Sequence, residues 1–188
     1  GKTRIARRLF GLTLEKDGSK VTDALLDAHY IDPGSSKLPK SFIESGGWML
    51  VQFHPSYAYE DFVQGISASI DEGTKAPVFS VQDGIFLKAC QLAEKTSKPF
   101  FLIIDEINRG DLSKVLGELI YGLEYRAQRI TLRTGKGDMQ SIRIPENLVV
   151  VGTMNTADRS IAHIDYAIRR RFSFVTISPD RQVVSSHM

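Results

Sequence analysis

Two acidic residues at the end of an apolar run carry the first chemical signal. Phe100-Phe101-Leu102-Ile103-Ile104 leads directly into Asp105-Glu106, the pattern of a strand buried on both faces that delivers carboxylates to a sheet edge. Neighbouring residues of an extended chain point to opposite sides, so one carboxylate can face a metal ion while the other faces a water. In a phosphoryl-transfer site the Asp belongs to the Mg²⁺ shell and the Glu positions the attacking water. The plainer alternative is a strand whose polar end meets solvent, and the pair alone does not choose between them.

Three further groups fit the same chemistry. Gly1-Lys2-Thr3 is the tail of G-x-x-x-x-G-K-[ST], whose amides cradle phosphates, whose Lys reaches the β/γ oxygens and whose hydroxyl binds Mg²⁺. Three residues are a weak match, strengthened by a helix that opens at or just after Thr3, with Ile5, Ala6, Leu9 and Phe10 sharing a face. Residues 148–153 form a second apolar strand, tipped by Met154-Asn155-Thr156-Ala157-Asp158-Arg159. Ser160 can cap a helix through Ile161, Ile164 and Ile168 that ends in Arg169-Arg170-Arg171. One cation would suit a helix C-terminus; three exceed it. Taken together, Lys2 would neutralise phosphate charge, Thr3 and Asp105 would hold Mg²⁺, and Glu106 would orient water. Asn155 would sense the γ-phosphate or help hold that water, and the arginines would supply a cation for the transition state.

The elements that must position these residues alternate. Residues 48–53 read as a buried strand that Pro55 ends. In the segment that follows, His54, Tyr57 and Glu60 suit either a nucleotide- or partner-proximal loop or aromatic packing over a sheet edge. Asp83 can cap a helix with Ile85, Phe86, Ala89, Cys90, Leu92 and Ala93 on its apolar face. Asp111 can cap a second, continuous helix with Leu112, Val115, Leu116, Leu119, Ile120 and Leu123. Residues 130–132 and 142–144 read as a hairpin. Its basic rim of Arg126, Arg129, Arg133, Lys136 and Arg143 is either a polyanion contact or a solvated face. Residues 172–177 alternate as a last strand. Such an order implies an α/β fold, a parallel sheet sandwiched by helices, with its site at the carboxyl ends of the strands.

Composition sets bounds on this reading. The 188 residues suffice for one domain, with 42% hydrophobic and 24% charged residues and a net charge of +2, which neither demands nor excludes a nucleic-acid partner. Cys90 is the only cysteine, so an internal disulfide and a multi-cysteine metal site are excluded, and helix spacing makes it core filling. No apolar run approaches bilayer length, and no signal peptide is visible at the N-terminus. A cytoplasmic location is expected.

Longer strings make a resemblance specific. Phe-Leu-Ile-Ile-Asp-Glu-Ile-Asn-Arg-Gly-Asp-Leu-Ser-Lys from Phe101, Gly-Thr-Met-Asn-Thr-Ala-Asp-Arg-Ser-Ile-Ala from Gly152, Asp-Tyr-Ala-Ile-Arg-Arg-Arg-Phe from Asp165, and Phe-His-Pro-Ser-Tyr-Ala-Tyr-Glu-Asp-Phe from Phe53 together resemble the McrB family, AAA+ GTPase subunits of modified-cytosine (type IV) restriction systems. The similarity covers residues 1–3 and most of 51–177. It implies an AAA+ P-loop NTPase core over 1–178 with a β-hairpin insertion, hydrolysing GTP, or ATP, with Mg²⁺. It also implies a ring, expected to be a hexamer, that acts on DNA with a McrC-like nuclease-bearing subunit and has no membrane partner. Carried over by position, Gly1, Lys2, Thr3 and Asp105 bind nucleotide and metal, Glu106 is catalytic, and Asn155, Asp158 and Arg159 form the signature loop. Arg170 and Arg171 are finger candidates acting on a neighbouring subunit, and Asn108 and Arg109 belong to the pattern. Four departures stand out: the glycine-rich start of the phosphate loop, its preceding strand, a C-terminal helical lid and a modified-base-reading domain are all missing from the sequence. Residues 11–47 match poorly and are expected to be a loop-rich surface insertion with one short helix around Val21 to Ala28, and 179–188 a tail of vector origin. A nucleotide-insensitive scaffold with a shortened phosphate loop is the competing reading; intact Lys2, Thr3, Asp105 and Glu106 weigh against it.

Overall fold

The computed structural model describes residues 2–15, 20–35, 37–133, 139–155 and 164–177, with Arg133 described by its backbone alone. In chain order the elements are α1 (Lys2–Leu12), α2 (Asp23–Asp27), α3 (Phe42–Ser45), β1 (Gly47–Gln52), α4 (Tyr59–Phe62), β2 (Gln64–Ile70), β3 (Pro77–Asp83), α5 (Ile85–Ala93), β4 (Phe100–Asp105), α6 (Leu112–Leu116), α7 (Leu119–Glu124), β5 (Ile130–Arg133), β6 (Met139–Ile142), β7 (Leu148–Gly152) and α8 (Tyr166–Arg169).

The sheet that organises the site is parallel, in the order β1-β4-β7. β4 lies in its centre because its five apolar residues can be buried on both faces. Phe100, Leu102 and Ile104 enter the core shared with α5, α6 and α7, whereas Phe101 and Ile103 enter a second core with Ala6 and Phe10 of α1, Leu26 of α2 and Trp48. This is the two-residue period of a strand, and it fixes a helical layer on each side. Trp48 secures the second core further: its indole N–H donates to the Leu26 carbonyl at 2.8 Å, and the Arg7 guanidinium lies 5.0 Å from its ring centre.

Several expectations are corrected. On α1, Ala6 and Phe10 are buried but Ile5 and Leu9 are exposed, because only one edge of the helix rests on the sheet. Residues 20–46 are no mere surface excursion, since α2 and α3 place Val21, Leu26, Ile31 and Phe42 in the two cores. Asp83 does not cap α5. It ends β3, where its carboxylate accepts from Gln64 and Gln91 at 3.1 and 2.6 Å. Gly84 holds the N-cap position instead, where an added Cβ would lie 2.4 Å from the Phe62 carbonyl carbon.

The helix expected through 112–123 is two helices. Gly117 breaks it with a left-handed φ of +49°, packed against the Tyr59 ring. Asp111 does cap α6, accepting the Lys114 amide at 3.3 Å. Residues 172–177 form no strand; they run alongside the body with Phe174, Val175 and Ile177 exposed. α8 is capped by Asp165, which accepts the Ile168 amide at 2.9 Å, and the expected cap Ser160 and Ile161 lie outside the described residues.

Two hairpins project from the sheet. The 130–144 hairpin is present as β5 and β6, but Arg126 is not on its rim: its guanidinium turns inward to the carbonyls of Leu148 and Pro145. Arg143 pairs with Glu146 at 3.3 Å, while Lys136 and the Arg133 side chain lie outside the described residues. A second antiparallel hairpin, β2–β3, spans a stretch that the sequence reading leaves unassigned, although Ile66-Ser67-Ala68-Ser69-Ile70 alternates with the period of a strand. Its register sets Ile66, Ala68 and Ile70 opposite Val81, Phe79 and Pro77, so one face of the ribbon is apolar, and Ile66, Ile70 and Phe79 on it are exposed.

Candidate nucleotide site

The parallel register brings the strand tips together. Gln52 pairs with Asp105, and the ladder between β4 and β7 runs on past Gly152, with the Thr153 amide donating to Ile104 and the Ile107 amide donating to Thr153, each at 2.9 Å. The N-terminus of α1 meets these tips. Thr3 Oγ1 donates to Asp105 Oδ1 at 2.8 Å, and Lys2 Nζ donates to the Met154 carbonyl at 2.7 Å. Residues from opposite ends of the chain thus converge on one sheet edge, beside the amide-rich end of an eleven-residue helix where anions are favoured.

The two acids are separated by backbone geometry and not by strand alternation. Asp105 closes β4, but Glu106 leaves the extended conformation at φ 51°, ψ 43°, a left-handed residue that starts the 3₁₀ turn Ile107–Arg109. The turn carries its carboxylate away from that of Asp105. Gln52 Nε2 donates to Glu106 Oε2 at 3.2 Å, and Arg109 Nε reaches the same oxygen at 2.9 Å. Buried Asn108 donates from Nδ2 to the Asn155 carbonyl at 3.4 Å, tying the tip of β7 to the turn after β4.

Thr3 and Asp105 offer a hydroxyl and a carboxylate, hard oxygen donors of the kind Mg²⁺ takes. That ion is bound through one or two protein groups plus substrate phosphates and not by a protein cage. Among the described residues no group of three or more His, Cys, Asp and Glu side chains could hold a metal by itself.

Lys2, Thr3, Asp105, Glu106 and Asn155 are therefore assembled as neighbours. Gly1, Asp158 and Arg159 lie outside the described residues. Arg170 and Arg171 both turn to Glu124, at 3.4 and 2.7 Å, and Arg171 also donates to the Ala167 carbonyl with its side chain largely buried. Arg171 nonetheless lines a cleft of about 500 Å³ that also includes Lys2, Thr153 and Met154. The aromatic segment after β1 packs more than it reaches: Tyr57 stacks on Phe53 at 4.5 Å between ring centres, and His54 and Glu60 are exposed. Burial, with the nearby Asp61 charge, pushes the Tyr57 hydroxyl up to about 12. Sequence reasoning missed Gln52 and Thr153 and gave Arg109 no role. Gln52 and Thr153 sit at strand tips beside Asp105, and Arg109 in the 3₁₀ turn that follows it, a placement that only the strand pairing reveals.

Residues 37–172 match the family model described as the AAA domain, dynein-related subfamily. The chain belongs to the AAA family. It is 45% identical over 135 residues to the type IV methyl-directed restriction enzyme EcoKMcrB subunit of Escherichia coli (strain K12), a match covering 69% of this chain and 28% of that protein. It is 32% identical over 89 residues to the type II restriction enzyme BsuMI component YdiS of Bacillus subtilis (strain 168), covering 40% of this chain and 26% of that one. The chain thus spans about a quarter of the length of these relatives. A protein of Cytophaga hutchinsonii of known crystal structure aligns over 98% of this chain and 48% of its own, at 17% identity and a TM-score of 0.47, too slight a likeness to carry argument. The McrB-type resemblance is borne out by the first of these identities, and the α/β fold by the AAA match and the parallel sheet. An AAA domain is a nucleoside triphosphatase, the class of chemistry expected of Lys2, Thr3, Asp105 and Glu106.

Proposed function

We propose that this AAA domain, residues 1–178, hydrolyses GTP or ATP with Mg²⁺ as part of a ring-forming restriction subunit. That subunit drives DNA translocation and cleavage together with a nuclease-bearing partner, in the cytoplasm. The observation that carries the reading is the bond from Thr3 Oγ1 to Asp105 Oδ1, with Glu106 next in sequence. A hydroxyl at a helix start and a carboxylate at a strand tip, in contact across most of the chain, are the two protein ligands that an Mg²⁺-nucleotide needs. The two restriction-enzyme relatives support the biological setting.

Lys2 would exchange the Met154 carbonyl for the β/γ oxygens, bringing its ammonium to the charge of the transferring group. Thr3 and Asp105 would hold the Mg²⁺, which would supply positive charge to offset that of the phosphate oxygens. Glu106 orients the attacking water through a carboxylate already fixed by Gln52 and Arg109, and Asn155 contacts the γ-phosphate or that water. Arg170 or Arg171 would act in the site of a neighbouring subunit, as an arginine finger worth roughly three to five orders of magnitude in rate. Asp158 and Arg159 complete the loop beyond Asn155.

The test is steady-state turnover of GTP and ATP by the full-length protein, with and without its partner subunit. Glu106→Gln should lose turnover while still binding nucleotide. Full turnover in that variant would remove Glu106 from this role, and an absence of nucleotide binding by the wild type would remove the function. The ratio of the two turnover rates assigns the base preference.

A further inference from the structure

Thr153 has a role that its position in an apolar strand conceals. It follows the last residue of β7 and is buried, and its backbone is held on both sides by β4 and the turn after it, through Ile104 and Ile107. Its side chain makes two contacts. Thr153 Oγ1 donates to Asp105 Oδ1, and it lies 3.4 Å from the backbone nitrogen of Glu106, whose N–H it accepts. A threonine hydroxyl has one proton and two lone pairs, so both bonds can form together.

We propose that Thr153 is a positioning residue for the two acids: one hydroxyl fixes the side chain of Asp105 and the backbone of Glu106. This rests on the nucleotide-hydrolysis reading above. Thr3 and Thr153 converge on Oδ1, so the carboxylate of Asp105 is pinned from α1 and from β7 and cannot rotate without breaking one bond. Glu106 needs a different kind of support. A non-glycine residue in the left-handed region costs of order 1–3 kcal/mol and persists where its surroundings determine it. The bond to its amide is one such determinant, and Arg109 and Gln52 hold the other end of the residue.

Removing the hydroxyl should loosen a metal ligand and the water-positioning group in one step, whereas the shape of the core would be unchanged in Thr153→Val. Groups that orient metal ligands from behind typically contribute 10- to 100-fold to metal affinity or activity. In the full-length protein, Thr153→Val is therefore expected to lower kcat about 10- to 100-fold. It should also raise, by about tenfold, the Mg²⁺ concentration that half-saturates binding of a fluorescent GTP analogue. Thr153→Ser, which keeps the hydroxyl, should restore both to within about threefold.

A wild-type Mg²⁺ midpoint and turnover in Thr153→Val would overturn the proposal while leaving the hydrolytic reading in place. Failure of the Ser variant to restore both would also overturn it, because the methyl and the fold, not the hydroxyl, would then be what matters. If the wild type itself shows no Mg²⁺-dependent nucleotide binding, the hydrolytic reading fails and the proposal with it. Thermal unfolding separates these outcomes from loss of fold; should Thr153→Val not fold, Thr153→Ala carries the same expectations.

Discussion

Arg109 Nε lies 2.9 Å from Glu106 Oε2, three residues earlier in the chain, and Gln52 Nε2 shares that oxygen from across the sheet at 3.2 Å. Two donors from different elements therefore aim one carboxylate. Loss of either should misplace Glu106 and not unseat the nucleotide, an effect that falls on kcat with KM retained. Misplacement of a reacting group by about 1 Å can cost up to about 100-fold. Steady-state kinetics of Gln52→Leu and Arg109→Met in the full-length protein should show reductions of that order. A rise in KM at constant kcat would instead place these residues in nucleotide binding.

Cys90 should be chemically silent in the folded protein. Burial first, and then the Glu94 charge, push its thiol up to about 12, so little thiolate forms at neutral pH. A thiol reagent at pH 8 should react only as the chain unfolds. The sign of the linked stability follows from the same shift. An unfolded thiol releases its proton near 9 while the folded one keeps it to about 12, so the unfolded state binds fewer protons across that interval. Stability is then full below about 9 and falls as pH rises, by up to about 1.4 kcal/mol per pH unit from this group. Tyr57, also raised to about 12, adds in the same direction. Denaturant titrations between pH 8 and 11 should show the decline, and Cys90→Ala should make it shallower.

Trp48 is the sole tryptophan, is buried, and donates to Leu26. Its emission should be blue-shifted, protected from iodide, and red-shifted on unfolding. Trp48→Phe keeps the ring contact with the second core but removes the indole donor from the Leu26 carbonyl, which retains the His29 amide at 3.1 Å. A loss of about 0.5–1.5 kcal/mol is expected, read as a lower denaturation midpoint.

Gly117 separates α6 from α7 at φ +49°, and a Cβ added there would lie only 3.0 Å from the Tyr59 ring. Gly117→Ala should be destabilising by about 1–3 kcal/mol, since an L-residue pays that much in a sparsely populated backbone region of positive φ. Thermal unfolding would measure it. A neutral result would mean that the Tyr59 ring and the helix break shift together at little cost.

The three parallel strands were legible because burial on both faces turns each into a continuous apolar run. Asp105 and Glu106 were legible because acids interrupt such a run so abruptly. The β2–β3 hairpin was legible in principle, since Ile66-Ser67-Ala68-Ser69-Ile70 alternates with the period of a strand, but Ile66 and Ile70 lie on an exposed face, so nothing ties that alternation to the core. Residues 172–177 have the alternation of a strand, yet pairing in this sheet ends at β7 among the described residues. Gln52, 54 residues from Glu106, and Thr153, 48 from Asp105, became visible only with the register, because contacts between strand tips belong to pairing and leave no trace in local spacing.

The amphipathic ribbon of β2 and β3 also bears on how this molecule behaves in bulk. Ile66, Ile70 and Phe79 lie exposed on one face of it, and the net charge of +2 provides little mutual repulsion between molecules. Colloidal stability should accordingly be governed by hydrophobic contact and weakened by salting-out anions such as sulfate, so that concentration and salt choice matter as much to handling the protein as its folding free energy.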